Sequence, residues 1–439
     1  MALYIMRSLL IPTIGLLAAC ATHSIPPEAL PDATMRGPTV SRLVQEQTIA
    51  IGEPLTAGAL AAIAVLTNPD LNALRASEGL ASAQIFAAGQ YPDPSFSFGL
   101  DAPLNGSGLV SALTVGLGYD LASLASRPAN LRIGQANLDK IRLDIAWAEW
   151  LTGEQARLLA ARISHLQTIK ALTSQARAYA DEDLARALRA SARGDLAAVA
   201  MEVRRLAATD AANQDRSAQL QLKGAQLELN RLLGIDPDEL LSLTPPIASE
   251  KNIASRDTLF ATALSRRADI KGMRASYEGA QAQLELAHLA AYPLPAIGLT
   301  FARDTSNFRT FGPSVSFSLP IWNRARGEVA VAVATQAQLG AEYAARLEGV
   351  RADIASAYAA LEITRAQRID VGREIQPLLP QLSADDIAAA RGDIAASTAA
   401  AAHMVLLDKQ ILEAGLMLSE AELEIALEIA VGQLLETIE

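Results

Sequence analysis

A single cysteine, Cys20, stands among 439 residues, so no intramolecular disulfide braces this chain. Aromatic residues make up 4% of the sequence and the formal net charge is −11, a balance that argues against a nucleic-acid surface. The four histidines, His23, His165, His288 and His403, are scattered without metal-ligand spacing. No glycine-rich phosphate loop and no pairing of nucleophile with base can be found. Neighbouring carboxylates such as Asp385 and Asp386 point to different sides of a helix and make no acid-base pair. The expectation is therefore no catalytic residue, no metal, no cofactor and no enzyme. An apolar run does occur from Leu9 to Ala19, but it is well short of the roughly 20 residues a membrane-spanning helix requires.

That run has a different reading. Arg7 precedes it and Leu17-Ala18-Ala19-Cys20 ends it, the layout of a signal peptide over residues 1–19. The last four residues resemble the lipobox of bacterial lipoproteins, in which the thiol is acylated and becomes the mature first residue. Lipidation at Cys20 is the expectation, with an ordinary secretory signal as the alternative. Ala21 follows in place of an aspartate, which in many Gram-negative bacteria permits sorting to the outer membrane. A proline-containing stretch from Ser24 to Pro38 reads as part of an extended leader, residues 20–55.

The rest of the chain is a duplication. Asn68-Pro69-Asp70-Leu71 returns as Arg267-Ala268-Asp269-Ile270, and Tyr91-Pro92 returns as Tyr292-Pro293. Gln135-Ala136-Asn137-Leu138 returns as Gln336-Ala337-Gln338-Leu339. Ala192-Arg193-Gly194-Asp195-Leu196 returns as Ala390-Arg391-Gly392-Asp393-Ile394, and the segment from Leu229 to Gly234 as that from Leu427 to Gly432. Five blocks in preserved order, at offsets of 198 to 201, define a first repeat over residues 56–234 and a second over 256–439. Residues 235–255, with Pro245-Pro246, read as the linker.

Within each repeat the hydrophobic period switches to two. Phe96, Phe98 and Leu100 alternate with Ser95, Ser97 and Gly99; after Asn105-Gly106-Ser107-Gly108, Leu113, Val115, Leu117 and Tyr119 alternate with Thr114, Gly116 and Gly118. Ile297, Leu299 and Phe301, then Phe311, Val315, Phe317, Leu319 and Ile321, do the same in the second repeat. These patterns predict hairpins over about 95–121 and 296–321, with strands about ten residues long, enough to cross a bilayer at the usual tilt. Tyr91, Tyr119, Tyr292 and Trp322 fall at the hairpin bases, where a membrane interface suits their rings. Hairpins packed on a soluble core are the alternative. If they do enter lipid, four strands cannot close a barrel and open edges are not tolerated there, so several chains must share one.

Alanine-rich segments with few breakers predict long helices. From about Ala129 to Ser191 there is no proline, and Leu131, Leu138, Ile145, Leu159 and Leu166 recur at heptad-like spacing beside a second stripe of Ile141, Ala148 and Ile169. Such a helix would be roughly 90 Å long at 1.5 Å per residue. Leu347, Ile354 and Leu361 repeat the spacing in the second half until Pro377 and Pro380, where a kink is expected. Two apolar stripes suit a wall of helices, each touching a neighbour on both sides. Trp147 and Trp150 belong to this packing.

This duplicated plan of hairpin plus long helix resembles the TolC-like outer-membrane factors over essentially the whole mature chain. The segment from Ser318 to Glu328, reading SLPIWNRARGE, is similar to the strand-to-helix junction of that family, particularly in its heavy-metal or cation branch. The resemblance implies a mainly α fold with a small transmembrane β part: a homotrimer whose twelve-stranded barrel continues as a periplasmic helical barrel. It implies a passive outer-membrane channel of a tripartite efflux pump, fed by a periplasmic adaptor and an inner-membrane pump of the resistance-nodulation-division class. It also implies adaptor contact at the two helical tips, here Arg193, Gly194 and Asp195 with Arg391, Gly392 and Asp393. Relatives often carry acidic residues two or three turns past the tip; Thr398 and Ala401 stand there instead. Asp181, Glu182, Asp183, Asp385 and Asp386 are the candidates for negative charge at the entrance. A periplasmic coiled-coil lipoprotein scaffold and the outer-membrane duct of a type I secretion system are the alternative readings.

Overall fold

The computed structural model of the chain describes residues 38–40, 42, 54–245 and 253–438. The signal segment, Cys20, most of the leader and part of the linker lie outside the described residues.

Each repeat opens with two short helices in line. In the first, α1 (Ala57–Thr67) and α2 (Pro69–Gly89) are separated at Asn68. Asn68 ends one helix and caps the next: its side chain accepts from the Leu71 N–H at 2.9 Å, and Pro69 takes the first helical position, where its missing N–H costs nothing. The strands β1 (Ser95–Asp101) and β2 (Ala112–Asp120) follow. The chain then runs straight into α3 (Leu121–Ala192), 72 residues or roughly 110 Å at the α-helical rise, and returns along α4 (Ala198–Leu233). The second repeat has the same order: α5 (Arg256–Arg266), α6 (Ala268–Leu289), β3 (Ala296–Arg303), β4 (Arg309–Ser316), α7 (Arg326–Arg391) and α8 (Ala396–Val431).

Two expected boundaries move, the start of the long helix and the ends of the strands. The helix α3 begins eight residues before Ala129 and contains Pro128. It starts early because Asp120, the last residue of β2, caps it by accepting from the N–H groups of Ala122 and Ser123. The helix α7 continues through Pro377 and Pro380. Each proline withdraws one N–H from the ladder, and the helix persists across both. The strands are seven to nine residues long, not ten. Phe317, Leu319 and Ile321 lie past the last pair of the β3–β4 ladder, Ala296 with Ser316, and the chain before Ala296 is Pro295, which has no N–H to offer. The front of the linker is also more fixed than its sequence suggests: Ile235 is buried, and the Leu55 N–H donates to the Ser242 carbonyl at 2.9 Å.

Burial follows the duplication. In the first repeat Leu60, Ile63, Leu159, Ile163, Leu229 and Leu233 form one core; in the second Leu259, Ile270, Val350, Ile354, Leu427 and Val431 form its counterpart. Between them α3 packs along both α6 and α8, so the long helix is flanked on its other side by α2 and α4. The helix α7 has α6 and α8 on one flank. The wall of the protomer therefore reads α2 with α4, then α3, then α6 with α8, then α7.

Candidate membrane-facing sheet and helical tips

The four strands form one antiparallel sheet in the order β1-β2-β3-β4, and its register sorts the side chains into two unlike faces. One transverse row holds Phe98, Val115, Phe301 and Phe311, and the next holds Phe96, Leu117, Leu299 and Pro313. The rows between them, on the opposite face, hold Ser97, Gly116, Thr300 and Gly312, and Ser95, Gly118, Gly298 and Ser314. This alternation is the signature of a barrel segment with one side toward lipid and the other toward a polar lumen. At two positions of the polar face there is no room for a side chain. A Cβ added at Gly116 would sit 2.5 Å from Ser97 Oγ, and one at Gly298 would sit 2.7 Å from the Leu117 carbonyl oxygen. Pro313 lies on β4, an edge strand of the single chain, where proline is tolerated.

The predicted interface aromatics fall at the helix-proximal end of the sheet. Tyr91, Tyr292 and Trp322 are exposed, Trp322 at 91%, and the Arg127 guanidinium covers the Tyr91 ring at 4.5 Å. No helix among the described residues is long and apolar enough to cross a membrane.

At the far end the two tips are copies of one another. Gly194 has φ +81° and Gly392 φ +79°, the left-handed conformation glycine adopts without penalty. The Asp195 N–H donates to the Ala190 carbonyl at 2.9 Å, and the Asp393 N–H to the Ala388 carbonyl at 2.9 Å. Each is the six-to-one bond that closes a Schellman turn. Arg193 Nε pairs with Asp195 at 3.1 Å on an exposed surface, and Arg391 and Asp393 are exposed at the equivalent turn.

The entrance-charge candidates are mostly paired already. Asp181 lies 3.6 Å from Arg177, Glu182 lies 2.9 Å from Arg186, and Asp183 lies 3.3 Å from Arg204. Asp386 accepts from His403 Nε2 at 2.9 Å, and the His403 ring stacks on Tyr179 with centroids 5.1 Å apart. Asp385, half-buried beside Asp386, has no such pairing. Thr398 and Ala401 are exposed on α8.

A buried polar cluster went unforeseen. Arg157 on α3 donates from Nη1 to Glu154 on its own helix and to Glu428 on α8, at 2.9 and 2.7 Å. Glu428 is 0% exposed and also accepts from the Leu435 N–H. Burial, the largest influence, pushes the Glu154 carboxyl up to about 7; Arg157 opposes this and Glu428 adds to it. The only hint in the sequence is the run Gly153-Glu154-Gln155-Ala156-Arg157, whose i, i+3 spacing says nothing of a third partner 271 residues away.

No protein-family profile matches the sequence, and no curated protein does. Solved structures do match. The Campylobacter jejuni CmeC outer membrane channel is 16% identical, with a TM-score of 0.71 over 94% of this chain and 96% of that one. The Vibrio cholerae outer membrane protein VceC is 17% identical, with a TM-score of 0.69 over 86% of this chain and 96% of that one. CusC, described for its transmembrane channel formation, is 17% identical, with a TM-score of 0.66 over 92% and 96%. The fold is that of the TolC-like outer-membrane factors. Within an outer-membrane-factor fold the two-faced sheet occupies the place of the barrel, and the long helices occupy that of the tunnel wall. The turns at Gly194 and Gly392 stand at the end of that wall away from the sheet.

Proposed function

We propose that this protein is the outer-membrane channel subunit of a tripartite efflux pump, a homotrimer that passively conducts substrates handed to it by a periplasmic adaptor and an inner-membrane pump. One observation carries the reading: the protomer is an unfinished wall at both levels. In the sheet, β1 and β4 each have one unpaired edge, which lipid does not tolerate. In the helical layer α7 packs mainly on α5, α6 and α8 of its own repeat, whereas its counterpart α3 packs on α2 and α4 of its own repeat and on α6 and α8 of the other as well. The sequence order of the duplication supplies the remedy. A second copy offers α2 and α4 to α7 just as α6 and α8 flank α3, and the apolar residues waiting there are exposed: Ile363, Ile369 and Leu379 on α7, Val203 and Leu220 on α4. Three copies bring twelve strands, a size that closes into a barrel with an open lumen.

The same reading assigns finer roles. Cys20 is the lipid anchor, the arginine, glycine and aspartate of each tip meet the adaptor, and the pump is of the resistance-nodulation-division class. Tyr91, Tyr119, Tyr292 and Trp322 sit at the inner boundary of the membrane. Support comes from the outward-facing Schellman turns and the exposed aromatics described above.

Chemical cross-linking of the detergent-solubilised full chain with cysteines at Ser97 and Ser314 tests the closure. The expected product is a covalent trimer in the outer-membrane fraction. A folded monomer in plain buffer after removal of the leader would overturn the reading.

A further inference from the structure

On the apolar face of the sheet, one row breaks the pattern. The row nearest the hairpin turns holds Leu100, Leu113, Arg303 and Arg309. Arg303 and Arg309 are directly opposed across the last pair of the β3–β4 ladder, on the same side as Phe301 and Phe311. Two like charges placed face to face across strands are destabilising unless something lies between them. Arg303 Nη2 donates to the Ser111 carbonyl at 3.0 Å, and its Nε is buried without an acceptor. Neither arginine has an ion-pair partner among the described residues. The adjacent carboxylate, Asp304, accepts at Oδ1 from the N–H groups of Ser306 and Phe308, each at 2.9 Å, and makes no ion pair with either arginine. Asp101 pairs with Ala112 on the polar face.

We propose that Arg303 and Arg309 clasp the phosphate of a lipid headgroup in the outer leaflet. The inference rests on the channel reading, which turns the apolar face toward lipid. The turns at 102–111 and 304–308 lie at the end of the sheet opposite the helices, so a periplasmic tunnel places this row at the external headgroup level. Two planar guanidinium groups offer several N–H donors to one phosphate, a geometry arginine suits better than lysine. A phosphate seated there neutralises the opposed pair. Three copies would carry three such clasps around one barrel.

The test places the full-length channel in vesicles of a phosphate-free lipid, digalactosyldiacylglycerol, doped either with lipid A or with the same lipid A stripped of its phosphates, and counts retained lipid by native mass spectrometry. The wild type is expected to retain the phosphorylated form only. Arg303→Gln with Arg309→Gln should bind it roughly 10- to 30-fold more weakly, the loss of two arginines' attraction to an anionic surface. The pair Arg303→Lys with Arg309→Lys keeps the charge without the fork, and should fall between the two. Equal retention by the glutamine variant, with its trimer intact, overturns the clasp and leaves the channel standing. A wild type that never enters the vesicles overturns the channel reading itself.

Discussion

Arg157 and Glu428 are 271 residues apart in sequence and 2.7 Å apart in space. Their contact ties the long helix of the first repeat to the last helix of the second, and it lies mostly out of water, Glu428 fully buried and the Arg157 side chain 20% exposed. Removing one member of such a pair strands the other charge in a low-dielectric site, at a cost of about 3–5 kcal/mol. Arg157→Met is accordingly expected to lower the unfolding midpoint of the helical signal by several degrees. Arg162→Met, whose partner Glu422 is half-exposed, should move it by about 1 kcal/mol or less. Equal effects for the two would show that burial is not what makes the pair matter.

Glu154 gives the same cluster a pH dependence of fixed sign. Its folded value of about 7 lies above the ordinary 4.5. Across that interval the folded protein holds a proton that the unfolded chain has released. The stabilisation is therefore complete below about pH 4.5, declines as pH rises toward about 7, and is constant above it. The whole change is about 3 kcal/mol. Melting curves of the detergent-held wild type and Glu154→Gln across this range check the point. The slope should vanish in the variant, and its persistence there would assign it to another group.

A third expectation comes from the joint between the short helices. In the first repeat Asn68 Nδ2 donates to the Leu232 carbonyl at 2.8 Å; in the second Arg267 Nη1 donates to the Ala430 carbonyl at 2.6 Å. Arg267 is 2% exposed, covers the Trp147 ring at 4.4 Å and pairs with Asp269 at 2.7 Å. Burial works against the Asp269 charge, yet the bonds from Arg267 and Arg346 hold its carboxyl below the ordinary range. Arg267→Ala removes a buried charge, a carbonyl partner and a ring contact together, and should cost about 3–5 kcal/mol. Asn68→Ala removes neutral bonds, and should cost about 1–3 kcal/mol. Chemical denaturation of both variants compares them directly.

The matching of Asn68 with Arg267 shows what the sequence could disclose. The duplication was readable because each block is local, and the structure places both residues at the same joint with the same task. The two faces of the sheet were likewise readable, because an alternation of period two needs no knowledge of the partner strand. Strand ends were less so. Leu109 to Ser111 and Phe317 to Ile321 continue the alternation but fall outside the ladders, since pairing depends on what lies opposite. The opposed arginines at 303 and 309 and the Glu154, Arg157 and Glu428 cluster were unreadable for the same reason: register and helix packing bring them together, and neither leaves a mark in linear spacing.

The tips yield a prediction that separates folding from recognition. A β-branched residue at Gly194 or Gly392 must adopt positive φ, at a cost of roughly 1–2 kcal/mol per site, and nothing within 4 Å of either glycine would clash. Gly194→Val with Gly392→Val should therefore leave the trimer assembled while distorting both turns. Asp195→Lys with Asp393→Lys should keep the turns and reverse their charge. Under the proposed role both double variants lose adaptor binding in a pull-down from membranes, with outer-membrane levels unchanged. Normal adaptor capture by both would remove the tips from the interface.

Val115 and Thr114 are neighbours on β2 that face opposite ways, Val115 in the row of Phe98 and Phe301, Thr114 in the row of Gly99 and Ala302. An arginine at 115 would project into lipid near mid-strand, where a charged side chain costs about 2–4 kcal/mol per copy. A trimer multiplies that cost by its copy number, so Val115→Arg should be depleted from the outer-membrane fraction and recovered as degraded chain. An arginine at 114 would project into the lumen, where water solvates it. Thr114→Arg should assemble at normal levels and alter ion conductance in a planar bilayer, because three added cations line the pore. If the two variants assemble equally well, the sheet does not separate lipid from water. If they swap outcomes, the lumen lies on the phenylalanine side.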